Sequence, residues 1–320
     1  MEYKALGKTG LQISPVSFGA APLGDMFGTV DERAAIATVG KALDLGFNFF
    51  DTSPYYGGGL SEQRLGTALA GHRDEVLIGT KAGRFAENQF DYSPKRIRES
   101  LDRSLRLLRT DYVDVFQLHD IEFVNVDDVF DAAYPVLVKL RAEGKCRFIG
   151  MTGYPLHTLR RAVTETELDT VLSYAHYTLL NMQVATDLVP ACEERGTGLI
   201  NAAAVSLGLL TSGGTRYATH PAGPEIQAAA ERARRACRER GVDIGFLANQ
   251  FAIQRSGCPT TLIGTTNPQH LQTAVRAASE PIDEELLAAV LAVTADVHAV
   301  SWMSGLPENN GAGSHDAARG

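Results

Sequence analysis

Short apolar runs in this chain repeatedly end in an ionisable residue. Asp51 closes FNFFD, Tyr56 follows in the loop SPYYG, Lys81 closes VLIGTK, and His119 closes VDVFQLH with Asp120 beside it. These types suit one joint task. A phenol titrates near ~10 and is a poor acid or base at neutral pH. A lysine ammonium beside it favours the phenolate and lowers that value, while a carboxylate pairs with the lysine and keeps it charged and aimed. A histidine offering a hydrogen bond to the same oxygen completes a proton-transfer centre for an alcohol/carbonyl pair. Each residue alone has an ordinary structural reading as a helix cap, a solvated lysine or a packed histidine. Four on three consecutive strands are harder to read that way.

Bringing those strand ends together requires a repeating scaffold. Eight strand candidates alternate with helical patterns: 16–20, 47–52, 76–81, 113–119, 147–152, 170–176, 198–204 and 260–265. Asp31, Ser61 and Ser93 are placed to cap the helices behind them, and Gly46, Gly144, Gly196 and Gly241 to end helices. Lys8-Thr9-Gly10 reads as the turn of an N-terminal β-hairpin. Eight βα repeats in one chain fit a (β/α)8 TIM barrel, in the α/β class, with the chemistry at the carboxyl ends of the strands. A doubly wound sheet fits less well, because no strand leads into Gly-x-Gly-x-x-Gly. Extra helices are expected after strand seven and after the last barrel helix. Residues 1–306 form one barrel domain in this reading, and 307–320 a flexible polar tail.

Composition narrows the partners. A formal net charge of −8 argues against a general role on nucleic acid or an anionic membrane surface. No apolar run is long enough to span a bilayer, and the start has no secretory pattern. Four scattered cysteines suggest neither a disulfide framework nor a metal site. A cytoplasmic chain with a small-molecule substrate and no metal is expected; the oligomeric state is left open.

FDTSPYYG, IGTKAG and VDVFQLHD resemble the signature segments of the aldo-keto reductase superfamily, (β/α)8 barrels that use a nicotinamide cofactor. The likeness runs from LGKTGLQISPVSFGAAPLG through RFIGMTGYPL to GLLTSGG and IGTTNPQHLQTAV. It implies a catalytic tetrad of Asp51, Tyr56, Lys81 and His119, with Tyr56 the acid/base and Tyr55 a wall or substrate contact. The implied cofactor contacts are Gly19, Ala20, Asp51, Thr152, Gly153, Ala203, Val205, Gly264, Thr265, Thr266 and His270. PLGDMFG, LHDIEF, LSYAHY and the late SWMSG are similar to a narrower branch, the L-galactose and L-fucose (D-threo-aldose 1-) dehydrogenases. That branch implies oxidation of C1 of an L-aldose to the lactone.

Departures from the family pattern sharpen the expectation. Many NADP-dependent members place Lys and Arg at the last barrel helix, where this chain has Gly264, Thr265, Thr266 and His270. A histidine carries little charge at neutral pH, so NAD is expected over NADP. The usual Ser-Asn after strand five is Thr152-Gly153, and the aromatic after strand seven is Ala202. Tyr56, His119, Asp120 and Trp302 are the substrate candidates, the last two for sugar hydroxyls and a sugar face. The alternatives are a broad carbonyl reductase, a pyridoxal dehydrogenase, a metal-dependent barrel hydrolase using His119, Asp120 and His176, and a non-enzymatic cofactor sensor.

Overall fold

The eight strand candidates close into one parallel barrel. In chain order they are β1 Val16–Gly19, β2 Phe49–Asp51, β3 Leu77–Ala82, β4 Val113–Leu118, β5 Cys146–Gly153, β6 Thr170–Tyr174, β7 Gly198–Ala202 and β8 Thr260–Ile263. Each pairs with its neighbours in sequence, and β8 returns to β1 through Thr261↔Val16 and Leu262↔Ser17. The structure is a computed structural model that describes residues 1–215 and 219–311 and the backbone of 314–315.

Local signals explain where the helices begin. Asp31 accepts from the Ala34 N–H at 2.9 Å ahead of Glu32–Asp44, and Ser93 accepts from Arg96 at 3.4 Å ahead of Pro94–Leu108. Ser61 differs from its expected role. Gly57, Gly58 and Gly59 all have positive φ, so the helix Leu60–Ala68 starts two residues earlier than a Ser61 cap would place it, behind Gly59. The Ser61 hydroxyl instead donates to the Ala20 carbonyl (2.7 Å) and meets the Thr52 hydroxyl (2.8 Å), tying together the ends of β1 and β2.

Alternation along the strands builds the interior in layers. Leu6, Leu11 and Ile13 of the hairpin (Lys4–Ala5 with Gln12–Ile13) close one end of the barrel against Phe49, Val115, Leu172, Ile200 and Leu262. Side chains two residues further along share a face. The next layer toward the carboxyl end is therefore Asp51, Gln117, Tyr174, Ala202 and Gly264, with Lys81 opposite Gln117 in register. The apolar plug forces the ionisable residues into that layer.

The two extra helical segments are Pro224–Glu239 and Glu284–Val293, which pack on each other through Ile226, Ala229, Ala233, Leu286 and Val290. Residues 307–311 of the expected flexible tail are folded against the barrel. Pro307–Asn309 is a helical turn, and the buried Asn309 side chain donates to the carbonyls of Glu122 (2.8 Å) and Val124 (2.7 Å). Its polarity serves buried backbone acceptors. Residues 312–313 and 316–320 of the expected tail lie outside the described residues, as do the side chains of 314–315. No helix among the described residues is long and apolar enough to cross a membrane.

Close helix packing makes a prediction. A Cβ on Gly66 would lie 2.3 Å from the Leu107 carbonyl oxygen, whereas one on Gly40 meets nothing within 4 Å. Gly66→Ala should lower unfolding free energy by about 1–3 kcal/mol in urea, against no loss for Gly40→Ala.

Candidate active site

Tyr56 is set by a contact between two loops. A Cβ on Gly24 would fall 2.5 Å from the Tyr56 carbonyl carbon, and one on Gly57 would fall 2.4 Å from the Gly24 oxygen. The loop after β1 and the loop after β2 thus touch backbone to backbone, and Gly57 also needs its φ of 66°. This explains the glycine run behind the tyrosine pair.

The four expected ionisable residues converge in the layer above the plug. The Lys81 ammonium, 1% exposed, donates to Asp51 Oδ2, to the Thr52 carbonyl at 2.9 Å and to the Tyr56 hydroxyl at 3.4 Å. All three of its N–H bonds have acceptors, so the cation is aimed as well as buried. Asp51 Oδ1 accepts from Gln117 Nε2 at 3.2 Å. His119 stands edge-on to the Tyr56 ring, with centroids 5.7 Å apart.

Burial sets the protonation states. It pushes the Asp51 carboxyl up, against the pull of Lys81 and Gln117. Burial also opposes the Lys81 charge, yet the Asp51 carboxylate and the Tyr56 oxygen outweigh it and hold lysine above its ordinary range, so the proton resides on Lys81. The Tyr56 phenol is pushed up to about 12 by burial, which exceeds the lowering by Lys81. The ammonium pulls the phenol down as expected, but desolvation outweighs that pull. Burial likewise pushes His119 down to about 3, so its ring is neutral.

The neutral ring meets a serine hydroxyl. Ser53 Oγ accepts from the Tyr55 N–H at 3.1 Å and lies 2.9 Å from His119 Nδ1. A Ser53 hydroxyl that donates to Nδ1 places the ring proton on Nε2. His119 Nε2 lies 3.7 Å from the Asp120 carboxylate.

Asp120 is part of an ion pair that sequence reasoning missed. Arg84 Nη1 donates to Asp120 Oδ2 at 2.6 Å, and its guanidinium lies 4.3 Å over the Tyr55 ring. Burial opposes ionisation of Asp120, but the Arg84 guanidinium, paired and hydrogen-bonded to it, holds its pKa below the ordinary value. Asp120 adopts φ 55°, and the Tyr92 hydroxyl donates to its carbonyl at 3.0 Å, which pins the turn. Trp302 is packed more tightly than a sugar platform requires. One face of the indole stacks on Tyr154 at 4.3 Å and the residue is 6% exposed. A cavity of about 250 Å³ beside it is lined by Tyr154, His176 and Arg160 among others, with no tetrad residue in its wall. His176 meets Tyr154 at 4.2 Å and Ser301 at 3.2 Å.

The expected cofactor residues lie along the ends of β5, β7, β8 and β1. A Cβ on Gly264 would sit 3.3 Å from the Gly19 oxygen, so that side of the barrel mouth is walled by bare backbone. Beyond β7, Ala203, Ser206 and Leu207 all take positive φ, strain of about 1–3 kcal/mol each that clusters at functional loops. The Val205 carbonyl accepts from Gly208 (3.0 Å) and Leu210 (3.1 Å) within this loop. Asn267 caps the helix Pro268–Ser279, whose start could receive a phosphate. His270 Nδ1 meets Thr265 Oγ1 at 3.0 Å, and the Thr266 carbonyl accepts from Thr38 at 3.0 Å. Ala20 donates its N–H to the Asp51 carbonyl at 2.8 Å, and Thr152 uses its hydroxyl on the Asp120 N–H at 3.0 Å. A bare floor flanked by strained backbone and a capped helix start fits a dinucleotide.

Of the residues missed, Gln117 and Ser53 each lie two positions from a tetrad member, so strand alternation could have found Gln117. Arg84 is reached through the register of β3 and β4, not through alternation. Gly57→Ala should cut turnover on the order of a hundredfold, with the circular dichroism of the barrel retained, because it displaces Tyr56 while leaving the strands intact.

Comparison with known proteins agrees with this geometry. Residues 15–294 match the Aldo/keto reductase family. The chain is 42% identical to L-galactose dehydrogenase of Arabidopsis thaliana, over 97% of this chain and 99% of that protein. It is 33% identical to D-threo-aldose 1-dehydrogenase of a Pseudomonas species, over 86% and 93% respectively. The holo form of an aldo-keto reductase from Bacillus halodurans superposes with a TM-score of 0.75 at 25% identity, covering 92% of this chain and 96% of that one. The chain belongs to the aldo-keto reductase family and is an oxidoreductase of that family.

Proposed function

We propose that this enzyme is a NAD-dependent aldose 1-dehydrogenase that oxidises C1 of L-galactose, L-fucose or a related L-aldose to the lactone. The observation that carries the chemistry is the threefold anchoring of the Lys81 ammonium on Asp51, Thr52 and Tyr56. Similarity to two sugar 1-dehydrogenases supports the substrate class.

In this reading the anomeric hydroxyl sits between the Tyr56 oxygen and His119 Nε2–H. Tyr56 takes its proton as C1 loses a hydride and the lactone carbonyl forms. A bound nicotinamide supplies the hydride acceptor. Lys81 stabilises the deprotonated Tyr56 oxygen, Asp51 holds Lys81 in place, and His119 orients the substrate oxygen without changing charge. Asp120, paired with Arg84, accepts from a neighbouring sugar hydroxyl, and Trp302 contributes a wall. Gly19, Ala20, Thr152, Gly153, Ala203, Val205, Gly264, Thr265, Thr266 and His270 form the cofactor's surroundings. Thr265, Thr266, Asn267 and His270 bring no permanent positive charge to an adenosine 2′-phosphate, which supports NAD over NADP.

Rates of NAD and NADP reduction with L-galactose, L-fucose, L-glucose, D-arabinose and D-galactose test this reading. NAD reduction with one L-sugar, lowered about 10²–10⁴-fold in Tyr56→Phe, is expected; silence with all five would overturn the sugar assignment. A pH profile gives a second test. Tyr56 must be deprotonated to act as base and is held up at about 12, so kcat/KM for oxidation should rise with pH through the alkaline range. Lys81→Met removes the group that lowers this phenol and should move the rising limb to still higher pH.

A further inference from the structure

Two sequence motifs, HDIEF and SWMSG, lie about 180 residues apart and form one hydrogen-bonded unit around Glu122. Glu122 is 0% exposed. Its Oε1 accepts from the Tyr154 N–H at 3.1 Å and from the Ser304 hydroxyl at 2.9 Å. Its carbonyl accepts from the Leu306 N–H and from Asn309 Nδ2, each at 2.8 Å. Gly305 passes so close that a Cβ there would lie 2.1 Å from the same carbonyl oxygen. The circuit closes at Trp302: its backbone N–H donates to the Tyr154 hydroxyl at 3.3 Å, and the two rings stack at 4.3 Å.

We propose that Glu122 is a positioning residue: its carboxyl fixes the Tyr154–Trp302 stack relative to the His119–Asp120 turn and so shapes the substrate-facing wall of the site. The wall reaches the catalytic layer through Tyr174, whose ring lies 5.3 Å from Tyr154 and which occupies the same interior layer as Asp51. Glu122 Oε2 has no hydrogen-bond partner and occupies the space beside Gly153, 2.7 Å from where a Cβ would stand. Glycine at 153 therefore makes room for this carboxyl. Burial and the nearby Asp120 charge push the group up to about 8, so it is the neutral acid at neutral pH, and a glutamine amide matches it in shape and charge. None of these atoms reaches the reacting centre, so the effect falls on substrate fit.

The test uses Glu122→Ala, Glu122→Gln and Ser304→Ala in the full-length enzyme. Trp302 is the sole tryptophan, so its emission and acrylamide quenching report the stack directly. Glu122→Ala should red-shift the emission, raise quenching about threefold and raise the sugar KM on the order of tenfold, with kcat within about twofold. Glu122→Gln should restore both readouts, and Ser304→Ala should give a smaller change in the same direction. If Glu122→Ala does not fold, Ser304→Ala decides. Wild-type quenching and KM in the truncated variants, or a failure of glutamine to restore them, would overturn the proposal. Only the KM arm rests on the aldose reading. If wild type oxidises no sugar, that reading fails and the fluorescence arm still decides the role of Glu122.

Discussion

A buried ammonium organises this molecule. Lys81 sits inside the barrel with almost no access to water, where an unpaired charge would be very costly. Its three N–H bonds reach the end of β2, the carbonyl one residue later and the phenol of the following loop. The same cation thus neutralises Asp51, fixes the chain as it leaves β2 and determines where Tyr56 can stand. Removing one partner of such a pair typically costs about 3–5 kcal/mol, so geometry and stability are coupled here. Gln117 completes the arrangement by occupying the other Asp51 oxygen.

The remaining architecture keeps that charge dry and its neighbours neutral. An apolar plug fills the barrel on one side of it, and paired loops of glycine hold Tyr56 on the other. Burial then acts on every group nearby. It keeps a proton on Tyr56 and removes any charge from His119, so among the described residues the permanent charges beside the reacting space belong to two pairs, Lys81 with Asp51 and Arg84 with Asp120. Such a site changes little in net charge when a neutral alcohol enters, and its polar groups are aimed before substrate arrives.

The sequence made the scaffold and the tetrad legible because both follow from short-range regularity. Strand length, capping residues and a two-residue side-chain period place Asp51, Lys81 and His119 at strand ends. What the sequence hid depends on distance through space. Arg84 meets Asp120 through the register of the neighbouring strands β3 and β4, and the role of Glu122 emerges only when the C-terminal segment folds over it. The net Tyr56 shift is hidden because a sequence reveals which charge is nearby but not how much water is lost. Polar residues in 307–320 suggest a solvated tail, but the partners of Asn309 are the carbonyls of Glu122 and Val124. Ser61 left its capping role for an analogous reason, since three left-handed glycines moved the helix start.

The claim at the centre of this account is that burial governs the Tyr56 proton, with Lys81 moderating it. Its most direct test is a pH titration by NMR of ring-labelled tyrosine in the cofactor-free protein, with the Tyr56 resonance assigned by its loss in Tyr56→Phe. The account predicts a resonance that remains that of a neutral phenol past the ordinary tyrosine value and titrates toward about 12. Titration at or below the ordinary value of ~10 would contradict it, because Lys81 would then outweigh desolvation and Tyr56 would stand as a ready base.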